Sequence, residues 1–218
     1  CTVSAGAALA RAGDTVVVRP ATYREQVTAP RSGSPGFDLT FRASGPGVVI
    51  KGTRDVSDPT AWSPTATTAW SRSYTPPSGP TQVWLDGTTL RQVADSGSLS
   101  AGAFFFDPVA KRLYVDSGGG NPGTGHTVEA GAQTYAFKVW AADHVVIDGF
   151  AADGQNNAAV SLKDDTATTV RDLTITRSGS YGISADNVSG SSVLTDNDVS
   201  GSASVGIRLV GSTGVTVK

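Results

Sequence analysis

Short apolar stretches that alternate with polar residues run along most of the chain, and nearly all are too short for a helix. TVVV at 15–18, DLTFRA at 38–43 and GVVIKG at 47–52 read as strands, with loops rich in Gly, Pro and Ser between them. The exception is SAGAALARAGD at 4–14, whose small residues predict a helix with Ser4 as N-cap and Gly13 as its stop.

From residue 136 onward the pattern repeats. The strands AFKVW (136–140), AVSLK (159–163), GISAD (182–186) and GIRLV (206–210) align so that Phe137, Val160, Ile183 and Ile207 follow at steps of 23, 23 and 24. A second apolar column, Ile147, Val170, Val193 and Val217, lies ten residues further on in each unit. Two columns in step over three intervals predict a solenoid. Its units are short strands joined by turns of Gly, Asn, Asp and Ser with no helix between them, which leaves a parallel β-helix.

Residues 54–135 break this period. They hold Pro-rich loops, Trp62, Trp70 and Trp84, and two hairpin patterns: VWLDGTTL, with Asp86-Gly87 at its turn, and FFFDPVAKRLYVD at 104–116. The expected division is therefore an N-terminal cap and first rungs at 1–53, an inserted β module at 54–135, and further rungs at 136–218 that break off within the strand pattern VTVK.

GDTVVVRPATYRE (13–25), the VVIKG strand and rungs such as NVSGSSVLTDNDVSGSASVGIRL resemble the right-handed parallel β-helix superfamily of pectate-lyase-like, carbohydrate-active proteins. The resemblance covers about 13–52 and 136–218. Ala21 departs from it, standing where the family often has Gly in a GTY turn. It implies an all-β, right-handed parallel β-helix, an N-terminal helix capping the open edge of the first rung, and a lyase, hydrolase, epimerase or adhesin. In that family the loop before the strand at 136–140 is commonly enlarged and borders the substrate groove. The module enters at that point.

Composition narrows the picture. At 218 residues the chain has room for one sizeable core, and with 26 Gly, no Met and only Glu25 and Glu129 as glutamates it favours strands. A net charge of −2 gives no footprint for nucleic acid or an anionic lipid surface, and no apolar run approaches the roughly 20 residues of a membrane span. The single cysteine, Cys1, excludes an internal disulfide and a Cys-based metal cluster. A mature lipoprotein would start with such a cysteine. No flexible tether follows it, so a chain that begins inside a longer protein is the preferred reading. An extracellular or cell-surface location and a monomeric state are expected.

Alternation sorts the repeated strands into columns. Phe137, Val160, Ile183 and Ile207 point inward, as do Val139, Leu162, Ala185 and Leu209. Lys138, Ser161, Ser184 and Arg208 form one outward column; Trp140, Lys163, Asp186 and Val210 form the other. With rungs about 4.8 Å apart, Trp140, Lys163 and Asp186 become neighbours, and Lys138 and Arg208 lie roughly 14 Å apart. Such a face suits a sugar chain: an aromatic platform, with cations for uronate carboxylates. The plainer reading is a Lys163–Asp186 surface ion pair, with Trp140 packed under the module.

The catalytic candidates are Lys163, Arg208 and Asp186. Lys138, Trp140, Ser161, Ser184, Asn156 and Asn157 are the candidates for substrate binding. Elimination at a uronate needs a base, for which Lys163 is suited, and a neutraliser of the carboxylate, for which Arg208 or Lys138 is suited. Hydrolysis needs two carboxyl groups, and the outward columns supply only Asp186. Where β-helix hydrolases carry aspartates before these strands, this chain reads Asn156-Asn157, Ser180-Tyr181 and Ser204-Val205. The module could donate Asp86, Asp107, Asp116 or Glu129.

The preferred reading is a lyase acting on an acidic polysaccharide. The alternatives are a β-helix glycoside hydrolase and a non-catalytic glycan-binding protein. Calcium is a candidate cofactor at Asp164 and Asp165, or at Asp196 and Asp198 on one side of a short strand. The plainer role for these residues is to hold turns, with Asn197 stacking along the solenoid. His126 and His144 stand apart and support no His-centred triad.

Overall fold

The computed structural model describes residues 2–218; Cys1, and with it the anchoring expectation, lies outside the described residues. The chain forms two compact units. One runs to Gly52 and resumes at Gln133, and the other is Thr53–Ala132.

The first unit is a solenoid of three parallel sheets. The first sheet stacks Thr15–Val18, Leu39–Ala43, Val145–Asp148, Thr169–Arg171, Val193–Thr195 and Thr216–Val217. The second stacks Ala21–Tyr23, Val48–Lys51, Ala151–Asp153, Thr174–Thr176 and Asp198–Val199. The third stacks Val27–Thr28, Tyr135–Trp140, Ala158–Lys163, Tyr181–Asp186 and Val205–Val210. Each turn of the chain adds one strand to each sheet, which is the parallel β-helix the repeat predicts. Inward residues meet in one core, where Phe137 packs on Phe41 at 6.1 Å and on Phe150 at 4.9 Å between ring centroids. The chain leaves the solenoid after Val48–Lys51 of the second sheet and returns for Tyr135–Trp140 of the third. The Gln133 amide, donating to the Gly52 carbonyl at 2.9 Å, closes the gap.

In the third sheet the predicted register holds. Phe137 pairs with Val160, Val160 with Ile183, and Ile183 with Ile207. The second apolar column needs a correction: Val170 pairs with Leu194, which then pairs with Val217, while Val193 sits opposite Thr169. The extra residue of the 24-residue step therefore lies between Asp186 and Val193. Gly190 and Ser191 there both take a φ of 66°, where neighbouring corners use a single left-handed residue.

Those corners repeat rung by rung. Ala141, Asp164, Asn187 and Gly211 form one left-handed column, and His144, Ala167, Ser191 and Gly214 a second. Gly149, Asp172 and Asp196 form a third, and Gly154, Arg177 and Gly201 a fourth. One residue at positive φ turns the backbone out of a strand, and Gly, Asn and Asp enter that region at least cost. This is why the turns are rich in those residues. Side chains also bridge rungs: Asn197, half-buried, accepts from the Leu173 amide at 3.2 Å and donates to the Val170 carbonyl at 3.0 Å, so it ties its rung to the backbone of the one before in place of the buried side-chain stack expected of it.

The helix is Val3–Leu9, shorter than the predicted 4–14, and its N-cap is Thr2, whose hydroxyl accepts from the Ala5 amide at 3.1 Å. Ser4 is inside the helix and serves differently. The Glu25 carboxylate takes the Val3 and Ser4 amides at 2.8 and 3.0 Å and also the Ser4 hydroxyl. At the other end Arg31 donates to the carbonyls of Ala10 at 2.7 Å and Ala8 at 3.1 Å, so Gly13 is not needed as the stop. Both helix ends thus find partners from the loops of the first rung.

The second unit is a two-sheet sandwich with its own core. A four-stranded sheet joins Thr53–Asp55, Val128–Gly131, Val83–Leu85 and Thr88–Thr89. A five-stranded sheet joins Ser63–Pro64, Trp70–Ser73, Arg112–Asp116, Ala103–Asp107 and Arg91–Gln92. Val83 and Val128 from one sheet meet Phe104, Leu113 and Val115 from the other. Both predicted hairpins form, the first turning on Asp86 and Gly87 at φ 49° and 78°. Gln133, Thr134 and Tyr135 lie with the solenoid.

Candidate functional site

The outward face of the third sheet carries the predicted columns in register: Lys138 beside Ser161, Ser184 and Arg208, and Trp140 beside Lys163, Asp186 and Val210. A shallow groove of about 270 Å³ runs across it, lined by Tyr135, Trp140, Asn157, Ser161, Lys163, Tyr181, Ser184, Asp186 and Arg208.

Trp140 is the organising side chain, and it is less of an open platform than the sequence suggests. It is 38% exposed. Its indole N–H donates to Ser161 Oγ at 2.9 Å, and its ring meets the edge of Tyr135 at 5.9 Å. The Lys138 ammonium stands 3.8 Å from the centre of the ring, and the Lys163 ammonium stands 5.4 Å from it. The π face thus gathers two cations. Neither lysine has a carboxylate partner among the described residues.

The predicted Lys163–Asp186 ion pair does not form. Asp186 pairs instead with Arg208, Oδ1 accepting from the guanidinium at 2.6 Å and Oδ2 accepting from the Ser184 hydroxyl at 3.0 Å. Arg208 also donates to Ser184 Oγ at 3.1 Å and lies over the Tyr181 ring at 5.1 Å. Both oxygens of the only carboxylate in the groove are therefore engaged. Ser161 and Ser184, each 5% exposed, act as floor groups that orient Trp140, Arg208 and Asp186. Asn156 is buried and outside the groove; Asn157 lines it.

Tyr135 and Tyr181 were missed by sequence reasoning. Strict alternation places them on the inward side with Phe137 and Ile183, yet both line the groove. They begin their strands, and the two residues after each, Ala136 and Phe137 or Gly182 and Ile183, are both buried, so strict alternation does not extend back to the tyrosines. The signal available was their register, since Tyr135 and Tyr181 both pair with Ala158.

The calcium candidates do not come together. Asp164 is an exposed left-handed corner residue whose Oδ1 accepts from Asn187 Nδ2 at 3.0 Å. Asp165, fully buried, occupies the inward position that Ala142 and Val188 fill one turn before and after. Asp196 is a corner residue bonded by the Thr195 hydroxyl, and only Asp198 lies in the following strand. These residues do not fit a shared cation. Among the described residues no set of three or more His, Cys, Asp or Glu side chains is placed to hold a metal.

The carboxylates of the sandwich are employed within it. Asp86 accepts from the Thr127 amide and pairs with His126 at 2.6 Å, contacts that hold its carboxyl below the usual range. Asp107 accepts from the Val109 and Ala110 amides, Asp116 from the Thr68 hydroxyl, and Glu129 from the Thr53 hydroxyl. His144 is a left-handed corner whose Nδ1 lies 3.6 Å from Asp38.

Residues 112–218 match the family model described as a right-handed β-helix region. No curated protein matches the chain. Among solved structures, the chain is similar to the complex of XylC with xylose at 13% identity and a TM-score of 0.66, over 98% of this chain and 57% of that one. It is also similar to a glycoside hydrolase at 12% identity and a TM-score of 0.59, over 91% of this chain and 60% of that one. The chain thus spans less than two thirds of either structure. No helix among the described residues is long and apolar enough to cross a membrane. Register, corners and family match agree: the solenoid of this chain is a right-handed parallel β-helix.

Proposed function

We propose that the third-sheet groove binds an acidic polysaccharide and that the protein cleaves it by β-elimination at a uronate. The observation that carries this reading is the pair of lysines, without a carboxylate partner among the described residues, gathered over one indole beside a groove edged with aromatic rings. Two adjacent cations without counterions favour an anionic ligand, and a uronate brings a carboxylate attached to a ring that packs on aromatic side chains.

In the reaction, the Lys163 ammonium first gives a proton to solvent, and the amine then takes the proton α to the uronate carboxylate. The electron pair of that C–H bond forms a carbon–carbon double bond as the glycosidic C–O bond breaks, and the leaving oxygen takes a proton from water. Lys138 neutralises the carboxylate and stabilises the charge that develops on it. Arg208, already bound to Asp186, shapes the groove floor. Hydrolysis is less suited to this face, because it needs a free carboxylic acid and a second carboxylate, and the groove holds one carboxylate with both oxygens engaged. The similarity to a glycoside hydrolase and to a xylose complex supports a carbohydrate ligand without naming the bond.

The test is to incubate the full-length protein with alginate, pectate and glycosaminoglycans and to follow the ultraviolet absorbance of the unsaturated product. Wild type should generate it, and Lys163→Ala should lower kcat by about 10²–10⁴-fold. New reducing ends without that absorbance would establish hydrolysis. Binding without either product would leave a non-catalytic glycan receptor.

A further inference from the structure

We propose that the sandwich unit carries a second glycan site, for uncharged sugars, on the outward face of its five-stranded sheet. In the hairpin of Ala103–Asp107 and Arg112–Asp116, Phe104, Leu113 and Val115 turn into the core. Phe105 and Tyr114, directly paired across the strands, turn the other way. Their rings stand 5.8 Å apart at an interplanar angle of 31°, and both are half-buried. The core on the opposite face does not need this pair.

Beside Tyr114 lies a groove of about 250 Å³, also lined by Thr65, Thr67, Ser96 and Leu99. Its lining holds no carboxylate, lysine, arginine or histidine. The Thr65 and Thr67 hydroxyls are 3.0 Å apart, and that of Thr65 also donates to the Ala69 carbonyl at 2.7 Å. The hydroxyls of Ser96 and Tyr114 have no partner among the described residues. Arg112, on the same face, donates to Ser71 Oγ at 2.8 Å and lies outside the lining.

A flat ring bordered by uncommitted hydroxyls matches a pyranose, which presents C–H groups on one face and hydroxyls around its rim. An ionised sugar would lose hydration here and gain no counter-charge. The two grooves therefore differ in the charge they accept, and this site stands independently of the chemistry assigned to the third sheet.

Affinity electrophoresis of the full-length protein in gels containing a panel of neutral polysaccharides, with acidic ones in parallel, tests the assignment. Wild type should be retarded by at least one neutral polysaccharide. Tyr114→Ala should weaken that retardation about tenfold or more and leave retention by acidic polymers unchanged. Ala66 also lines the groove and is exposed, so Ala66→Arg, which fills the rim without removing any packing, should likewise weaken neutral retardation in a folded protein. Lys138→Ala should show the converse, losing only acidic retention. If no neutral polysaccharide retards wild type, or if Ala66→Arg and Tyr114→Ala both run as wild type in neutral gels, the site is absent. Loss of acidic retention in Ala66→Arg would overturn the assignment by showing that the groove selects charge.

Discussion

Asp165 shows what one residue does when the solenoid places it where its neighbours are apolar. Ala142 and Val188 fill the same inward position on adjacent turns, and neither carboxylate oxygen of Asp165 makes a hydrogen bond of good geometry. Burial pushes its carboxyl up to about 7; the Thr168 hydroxyl opposes that shift, and the charge of Asp143 adds to it. With the folded value above the unfolded one, the native state holds the extra proton between about pH 4 and pH 7. Stability therefore falls as pH rises through that window, at up to about 1.4 kcal/mol per pH unit, and is constant above it. Asp148 works in the opposite sense: burial raises its carboxyl, Arg171 and Arg42 more than offset that, and the resulting stability is lost only as pH falls below the ordinary carboxylate range. Asp165→Asn should thus shrink the difference in Tm between pH 5 and pH 8, and an unchanged difference would place the titration elsewhere. Trp140 belongs to the same scale. Trp140→Phe keeps a π face for the two lysines and gives up the bond to Ser161, so it should retain most of the affinity for acidic polymers in a pull-down, whereas Trp140→Ala should lose about tenfold or more.

The strand-and-corner unit has its own energetics. Each corner depends on one residue at positive φ, and the cost differs with the residue that chance and selection have put there. Ala167 sits at φ 53° with a Cβ that disfavours the region, whereas Gly149 at φ 80° has none. Ala167→Gly should therefore raise stability by up to about 1 kcal/mol, after the greater freedom of glycine in the unfolded chain is subtracted, and Gly149→Ala should lower it by about 1 kcal/mol or more. Urea melts of the two variants should move in opposite directions. The corner composition was legible in the sequence as Asp, Asn and Gly at turn positions, and so was the register of the third sheet. The displaced partner, Leu194 in place of Val193, was not, because the 24-residue step from Ile183 to Ile207 shows that one residue is added without showing which turn of the rung holds it.

For the molecule as a whole, stability of a solenoid is carried by contacts between neighbouring turns, so its ends matter more than its length. Glu25 fixes the N-terminal end by holding the first amides of the capping helix. Glu25→Ala should speed amide exchange in Thr15–Val18 and Ala21–Tyr23 well before it affects Ala158–Lys163, where the core is deepest. Equal acceleration everywhere would mean that the cap secures the whole solenoid cooperatively. At this scale the sequence by itself determined the repeat, the inward and outward columns of the third sheet and the interruption by a second β unit, since each follows from a periodic pattern along one chain. Only the tertiary structure decided that Arg208 takes Asp186, that Lys138 and Lys163 share the Trp140 ring, and that Tyr135 and Tyr181 edge the groove. Periodicity places backbone positions. Pairing among charged and aromatic side chains depends on rotamers and distances across stacked strands, and no spacing along the chain encodes those.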